Sequence, residues 1–150
     1  GYRIGWVAAG HRAQEIARRK LTTTLNTNVP AQIAIARHLE RGGFDRHLRR
    51  LRTTLAAQQS RYIEAIAAAF PRGTRVTRPA GGYFLWLELP EGTDALRLHR
   101  RASQQGISIA PGPMFSASRG FGNCIRLNCG HPLDARIGTA LMKLGALARD

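Results

Sequence analysis

The stretch with the clearest chemical potential is Asn123-Cys124-Ile125-Arg126-Leu127-Asn128-Cys129-Gly130. Its alternation reads as a short strand, with Ile125 and Leu127 on one face and Cys124, Arg126 and Asn128 on the other. An arginine between aliphatic neighbours presents five donors in a planar fork, which suits a carboxylate or phosphate held bidentately. The plainer alternative is an edge-strand arginine with its head in water. The other reactive residue types form no constellation. His11, His38, His47, His99 and His131 show no ligand spacing, so no metal site is expected. Cys124 and Cys129 are the two cysteines. Their spacing suggests neither a disulfide nor a zinc site, and reduced thiols are expected. Nothing points to a catalytic triad.

The 150 residues carry 23 Lys+Arg against 9 Asp+Glu, a formal charge of +14. Lys20 and Lys143 are the only lysines, so nearly all of the positive charge is arginine. Such a balance is compatible with nucleic acid or with acidic small molecules. Much of it falls between Arg46 and Arg61 at helical spacing, where a charged stripe is usually a solvated helix face. With 43% hydrophobic residues the chain can bury a core. It shows no signal segment and no apolar run long enough to span a membrane, and it opens without methionine. It reads as a cytoplasmic piece of a longer protein.

Several elements must position the Arg126 strand. Ile4 to Ala9 reads as a buried strand, and Ala13 to about Leu25 as a helix. Pro30 suits the first turn of a further helix, Ala31 to Leu39, stopped by Gly42-Gly43. Phe44, Leu48, Leu51, Leu55, Tyr62, Ile66 and Phe70 then form one apolar stripe on a long helix, expected to be core along its length. Asp45 in its first turn is expected to pair with Arg49. At about 1.5 Å per residue this helix is roughly 40 Å long, enough to bridge two domains.

Beyond Pro71-Arg72-Gly73 the period changes to two. Arg75-Val76-Thr77 and Tyr83 to Leu89 read as strands around the turn Pro79-Ala80-Gly81-Gly82. In the second strand Tyr83, Leu85, Leu87 and Leu89 face one way, and Phe84, Trp86 and Glu88 the other. Thr93 is the expected N-cap of a helix from Asp94 to Gln105, and Gly106 its stop. Ile107-Ser108-Ile109 is a third strand, followed by Pro111-Gly112-Pro113 and a loop from Ser116 to Gly122. After the Arg126 strand, Pro132 starts a last helix with Leu133, Ile137, Leu141 and Leu144 inward. The expected fold is therefore an α/β protein, specifically an α+β layer: a small, mostly antiparallel sheet with helices on one face. The first forty residues do not belong to that layer by pattern.

Four segments in order resemble the C-terminal portion of the fold-type I, pyridoxal-phosphate-dependent aminotransferases of class I/II. Gly1-Tyr2-Arg3-Ile4-Gly5-Trp6 resembles the G-x-R-x-G-[WY] run of that family. Pro79 to Trp86 resembles its P-x-G-G-x-F-x-W hairpin. Gly106 to Phe115 resembles its G-[IV]-x-[IV]-x-P-G-x-x-F segment, and Asn123 to Asn128 its N-x-[IL]-R-L-x strand. Gly42 to Arg52 and Leu85 to Pro90 are similar to runs of the MocR subfamily of GntR-type transcriptional regulators. Aminotransferases of the aminoadipate and kynurenine type share many of the same motifs.

The resemblance implies a division into residues 1–40, a remnant of the large pyridoxal-phosphate-binding domain, and residues 41–150, the small C-terminal domain. It implies that Arg126 binds the α-carboxylate of an amino-acid ligand, holding the α-carbon over the cofactor. Arg3 would contact the cofactor phosphate, and its alternative is an ordinary strand-start arginine. Gly81 and Gly82 either let backbone approach the ligand, with Gly82 in the substrate site, or serve a plain turn. Tyr83 and Phe84 are read as core or hairpin packing rather than cofactor contacts, and Pro111 and Gly112 as structural. One departure matters. The family's Schiff-base lysine would precede Gly1, and neither Lys20 nor Lys143 stands in that place, so this segment is expected to be inactive alone.

The whole protein is then expected to be a ligand-sensing regulator. Pyridoxal 5'-phosphate with an amino acid or amine would bias a homodimer that meets DNA through an upstream winged-helix domain, with no membrane involved. The alternative is a true aminotransferase moving an amino group between an amino acid and a 2-oxo acid. A third reading is an arginine-rich nucleic-acid-binding module, whose mark would be steep salt dependence.

Overall fold

The computed structural model describes residues 3–149. The chain divides into two compact units, one ending at Leu48 and one beginning at Arg49.

The first unit is helical. The expected strand at Ile4–Ala9 is absent; the segment has no regular secondary structure, and Trp6 is 72% exposed. An apolar run with no neighbouring strand has no ladder to join, so its pattern alone does not make it a strand. A single 3-10 turn at Gly10–Arg12 leads into α1 (Ala13–Thr24). Helix α2 (Val29–Glu40) carries Pro30 in its first turn, and the Asn28 side chain caps it by accepting from the Ala31 N–H at 3.0 Å. Among the described residues of this unit, Ala31 is the only fully buried apolar one; Val7, Leu21, Leu25, Val29 and Ile33 are exposed.

Helix α3 (Phe44–Ala69) runs through the division. Its stripe is core only in its second half: Tyr62 and Ile66 are buried, as is Phe70 just beyond the helix, while Leu48 and Leu55 are half-buried and Leu51 is exposed. Amphipathic spacing shows which face can be covered, and a neighbour must still be there to cover it. Asp45 does lie in the first turn, but no ion pair joins it to Arg49 among the described residues.

The second unit holds the sheet. Its strands are β1 (Arg75–Val76), β2 (Phe84–Glu88), β3 (Ala110–Pro111) and β4 (Cys124–Asn128), in the order β1-β2-β4-β3, all antiparallel. The central pair sets Leu85 opposite Leu127 and Leu87 opposite Ile125. These four pack with Tyr62, Ile66 and Phe70, with Ala95, Leu98 and Ala102 of α4 (Ala95–Gln104), and with Leu141 and Leu144 of α5 (Ala135–Leu147). Burying each large apolar side chain is worth about 1.5–3 kcal/mol, and this cluster is the unit's core. Helices therefore cover one face of a small antiparallel sheet, as the alternation predicts.

Four local expectations shift. The third strand forms at Ala110–Pro111 rather than Ile107–Ile109. There Ala110 meets Arg126 and Pro111 meets Ile125 at the sheet edge, where proline's missing donor is tolerated. Helix α4 is capped by Asp94, not Thr93: one carboxylate oxygen accepts from the Leu96 and Arg97 N–H groups at 2.8 and 3.0 Å. The Arg97 N–H bond chiefly, against a smaller effect of burial, holds the Asp94 carboxyl below its usual range. Likewise α5 starts after Asp134, which accepts from Ile137 N–H at 2.8 Å, and not at Pro132. Tyr83, expected inward, lies just before β2 and is 47% exposed.

Candidate functional site

The face of the sheet away from the helices is built by the other half of the alternation. Phe84, Trp86 and Glu88 of β2 point there, with Arg126 and Asn128 of β4. The register places Trp86 directly opposite Arg126 and Phe84 opposite Asn128. After β3, a 3-10 turn (Gly112–Phe115) brings in Phe115, and the following loop brings in Phe121.

Arg126 sits at the centre of this aromatic patch. Its guanidinium carbon lies 4.1 Å from the Phe84 ring centroid and 4.4 Å from that of Phe115. Trp86 braces the arrangement, edge-on to Phe115 at 5.7 Å and to Phe121 at 5.4 Å between centroids. A cation over such rings gains roughly 0.5–2 kcal/mol per contact, more as water leaves. The rings attract the charge but accept no strong hydrogen bonds, so the N–H groups of the fork remain to be satisfied. Among the described residues no carboxylate pairs with Arg126. A half-buried guanidinium in an apolar wall, without an internal anion, is suited to take a planar anion from outside.

The surrounding backbone fixes this geometry. A Cβ on Gly112 would stand 2.2 Å from the Phe121 carbonyl oxygen and 2.9 Å from that of Cys124, so only glycine lets the Phe121 loop approach β4. Asn123 ties the start of β4 to the end of β2: its Nδ2 donates to the Leu89 carbonyl at 2.6 Å, and Leu89 N–H donates back to the Asn123 carbonyl at 2.9 Å. At the other end Cys129 N–H donates to the Tyr83 carbonyl at 2.8 Å. Behind the sheet the Tyr62 hydroxyl donates to the His131 carbonyl at 3.1 Å. Burial first, then the Cys129 thiol and the Asp134 carboxylate, push that hydroxyl's pKa up.

Gly82 lies two residues before Phe84, with φ +84°, and its carbonyl accepts from Gln59 Nε2 of α3 at 2.7 Å. This places Gly82 in the bend that leads into β2. Arg3 belongs to the first unit, is exposed, and has φ 54°. Gly1 and Tyr2, the start of that motif, lie outside the described residues. Cys124 and Cys129 are free and buried. Burial raises both thiol pKa values. Among the described residues no three His, Cys, Asp or Glu side chains cluster as metal ligands.

Sequence reasoning missed the aromatic partners. Alternation places Phe84 and Trp86 on one face of β2, and Arg126 on one face of β4, but pairing those faces needs the register. Phe115 and Phe121 come from irregular segments with no period to read.

The fold and this site together define a class. The sequence profile described as "Aminotransferase class I and II" matches residues 1–141, and the chain belongs to that family. It is 41% identical over its full length to the HTH-type transcriptional regulator YdcR of Escherichia coli, covering 32% of that protein. Among solved structures it resembles LysN, the α-aminoadipate aminotransferase of Thermus thermophilus, with TM-score 0.79 and 31% identity over 91% of this chain and 35% of that one. The kynurenine aminotransferase of Pyrococcus horikoshii matches with TM-score 0.80 and 29% identity, over 91% of this chain and 34% of its own. The chain thus spans about a third of the length of the curated relatives it matches.

Pyridoxal phosphate is the cofactor of this family. The residues around Arg126 fit the carboxylate of an amino acid, and they do not fit the cofactor's aldehyde end. No lysine stands among them: Lys143 is on α5, in the helix layer behind the sheet, and Lys20 is on α1 of the first unit.

Proposed function

We infer that this chain is the C-terminal part of an aminotransferase-like ligand-sensing domain in a cytoplasmic GntR/MocR-type transcriptional regulator. The observation that carries the reading is the Arg126 guanidinium, set against Phe84 and Phe115 with no carboxylate partner among the described residues. Arg126 receives the α-carboxylate of an amino acid. Gly82, in the turn before β2, gives that ligand room, and Arg3 contributes a charged fork to the cofactor phosphate. When bound, pyridoxal phosphate supplies an aldehyde for the ligand amine, held by residues outside this segment. Similarity to YdcR supports the regulator, and the LysN structure, complexed with N-(5'-phosphopyridoxyl)-L-leucine, supports an amino acid as ligand. The working protein is a homodimer that meets DNA through an upstream winged-helix domain, and residues 1–40 are the part of the large domain present here. No helix among the described residues is long and apolar enough to cross a membrane.

A second reading, a true aminotransferase, is favoured by the similarity to the 2-aminoadipate transaminase of Thermus thermophilus, 33% identical over 85% of this chain. The two are separated by assaying the full-length protein for binding to its own promoter DNA, with and without pyridoxal phosphate and amino acids, and for transamination with a 2-oxo acid. The regulator reading expects DNA affinity that shifts with ligand. Turnover without any DNA binding would overturn it.

A further inference from the structure

The loop before β4 carries its backbone strain on side chains rather than on its glycines. Arg119 has φ 57° and Phe121 φ 61°, both in the left-handed region that an L residue rarely enters. Gly120 and Gly122 stand beside them, and neither is among the glycines with positive φ. Glycine would take a left-handed position at no steric cost. Here a bulky aromatic residue takes one instead. Its ring is 53% exposed, so burial does not account for its place. Strain of this kind persists only where the surroundings impose it. The Ser116 hydroxyl accepts from Gly120 N–H at 3.0 Å, and the Ser116 carbonyl from Arg119 N–H at 3.3 Å. The Phe121 carbonyl accepts from Cys124 N–H at 3.0 Å, and the Gly122 carbonyl from Ala95 N–H of α4 at 2.8 Å. The Phe121 backbone also rests against Gly112, where a Cβ would stand 2.8 Å from that of Phe121.

These contacts aim the Phe121 ring at the site. It meets Trp86 at 5.4 Å, Trp86 meets Phe115 at 5.7 Å, and Phe115 lies 4.4 Å from the Arg126 guanidinium carbon. With no carboxylate beside Arg126 among the described residues, the rings it packs on set the direction of its fork. We propose that Phe121 is a positioning residue for Arg126: through Trp86 and Phe115 it holds the guanidinium fork in the orientation that receives a carboxylate. The proposal rests on the reading of Arg126 as the carboxylate receiver. A long side chain loses rotamer freedom when it binds, and orienting it beforehand removes part of that cost. The backbone strain at Phe121 is offset by that gain in the bound state.

The test titrates the full-length protein, loaded with pyridoxal phosphate, with candidate amino acids and with the amines that lack only their carboxylate. Phe121→Ala and Phe121→Gly should each lose about threefold to tenfold of the parent's preference for the amino acid, the size of one lost aromatic pair. Phe121→Tyr keeps the ring and should keep the preference. Melting separates positioning from packing. Glycine relieves the left-handed backbone and alanine does not, so Phe121→Gly should melt above Phe121→Ala while binding no better. Labelling with 5-fluorotryptophan reads the ring relay without any ligand. The Trp86 resonance, assigned as the one lost in Trp86→Phe, should move in the alanine and glycine variants and stay near the parent's in Phe121→Tyr. If Phe121→Ala fails to fold, the glycine and tyrosine variants decide alone. A discriminating parent whose preference survives in the ring-less variants overturns the proposal and leaves the carboxylate reading standing. Phe121→Gly melting below Phe121→Ala, or a Trp86 resonance unmoved by loss of the ring, overturns it as well. A parent that binds amine and amino acid alike overturns the carboxylate reading and this proposal with it.

Discussion

On the helix-covered face of the sheet, Leu85 and Leu87 of β2 oppose Leu127 and Ile125 of β4, and none of the four is more than 6% exposed. On the other face the same strands set Phe84 and Trp86 against Asn128 and Arg126, and all four stay at least partly open. One alternation produces both. The first face is closed by aliphatic packing, and any gap in it costs stability. The second keeps a cation in an aromatic wall, with its strongest donors unspent. A site can therefore occupy the centre of a sheet without weakening the core behind it.

Truncating the closed face should have the largest effect. Leu87→Ala leaves a cavity in the middle of the core and should cost about 2–5 kcal/mol, read as a lower denaturant midpoint. Phe84→Ala, at a residue already 37% exposed, should cost far less. Equal losses at the two positions would break the distinction between the faces.

Two glycines sharpen it. A Cβ on Gly145 of α5 would stand 2.2 Å from the Ala69 carbonyl oxygen, so Gly145→Ala must push α5 off the end of α3. The usual helix-propensity gain of alanine is then outweighed, and a net loss of about 1–3 kcal/mol is expected. Gly112→Ala meets the Phe121 loop instead. It should disturb ligand binding at Arg126 more than it lowers the melting temperature. A melting temperature that falls as far as that of Gly145→Ala, with ligand affinity kept, would contradict this assignment.

The smallest effect concerns pH. Burial raises the Cys124 and Cys129 thiol pKa values in the folded protein. Above the unfolded thiol pKa of about 8.5, the unfolded chain binds fewer protons than the folded one, so stability falls as pH rises. Below that pH the contribution is fully present. Denaturant midpoints should hold near pH 7 and decline above about pH 8.5, and Cys129→Ala should make the decline shallower. An unchanged slope in that variant would remove Cys129 from the explanation.

The sheet, its helix-covered side and Arg126's place on the opposite side were legible because strand periodicity and aliphatic content agree along β2 and β4. The aromatic surroundings were not, because Phe115 and Phe121 arrive from segments without period. The first unit misled for a related reason. Ile4 to Ala9 has strand composition, yet no strand among the described residues pairs with it; Leu51, at the start of the second unit, likewise continues the α3 stripe and stays exposed. Apolar pattern records what a segment can bury, and the partner that buries it lies elsewhere in sequence. The start of α4 shifts by one residue and that of α5 by three, because Thr93 and Pro132 are acceptable helix starts, while the carboxylates of Asp94 and Asp134 make the bonds.

The most direct test of the Arg126 site compares each candidate amino acid with the amine that lacks only its carboxylate, titrated against the full-length protein loaded with pyridoxal phosphate. The parent should prefer the amino acid. Arg126→Lys keeps the charge but loses the planar fork, and should lose about 1.5–3 kcal/mol of that preference while retaining the cofactor. An unchanged preference in the variant, or a parent that binds amine and amino acid alike, would contradict the assignment of Arg126 as the carboxylate receiver.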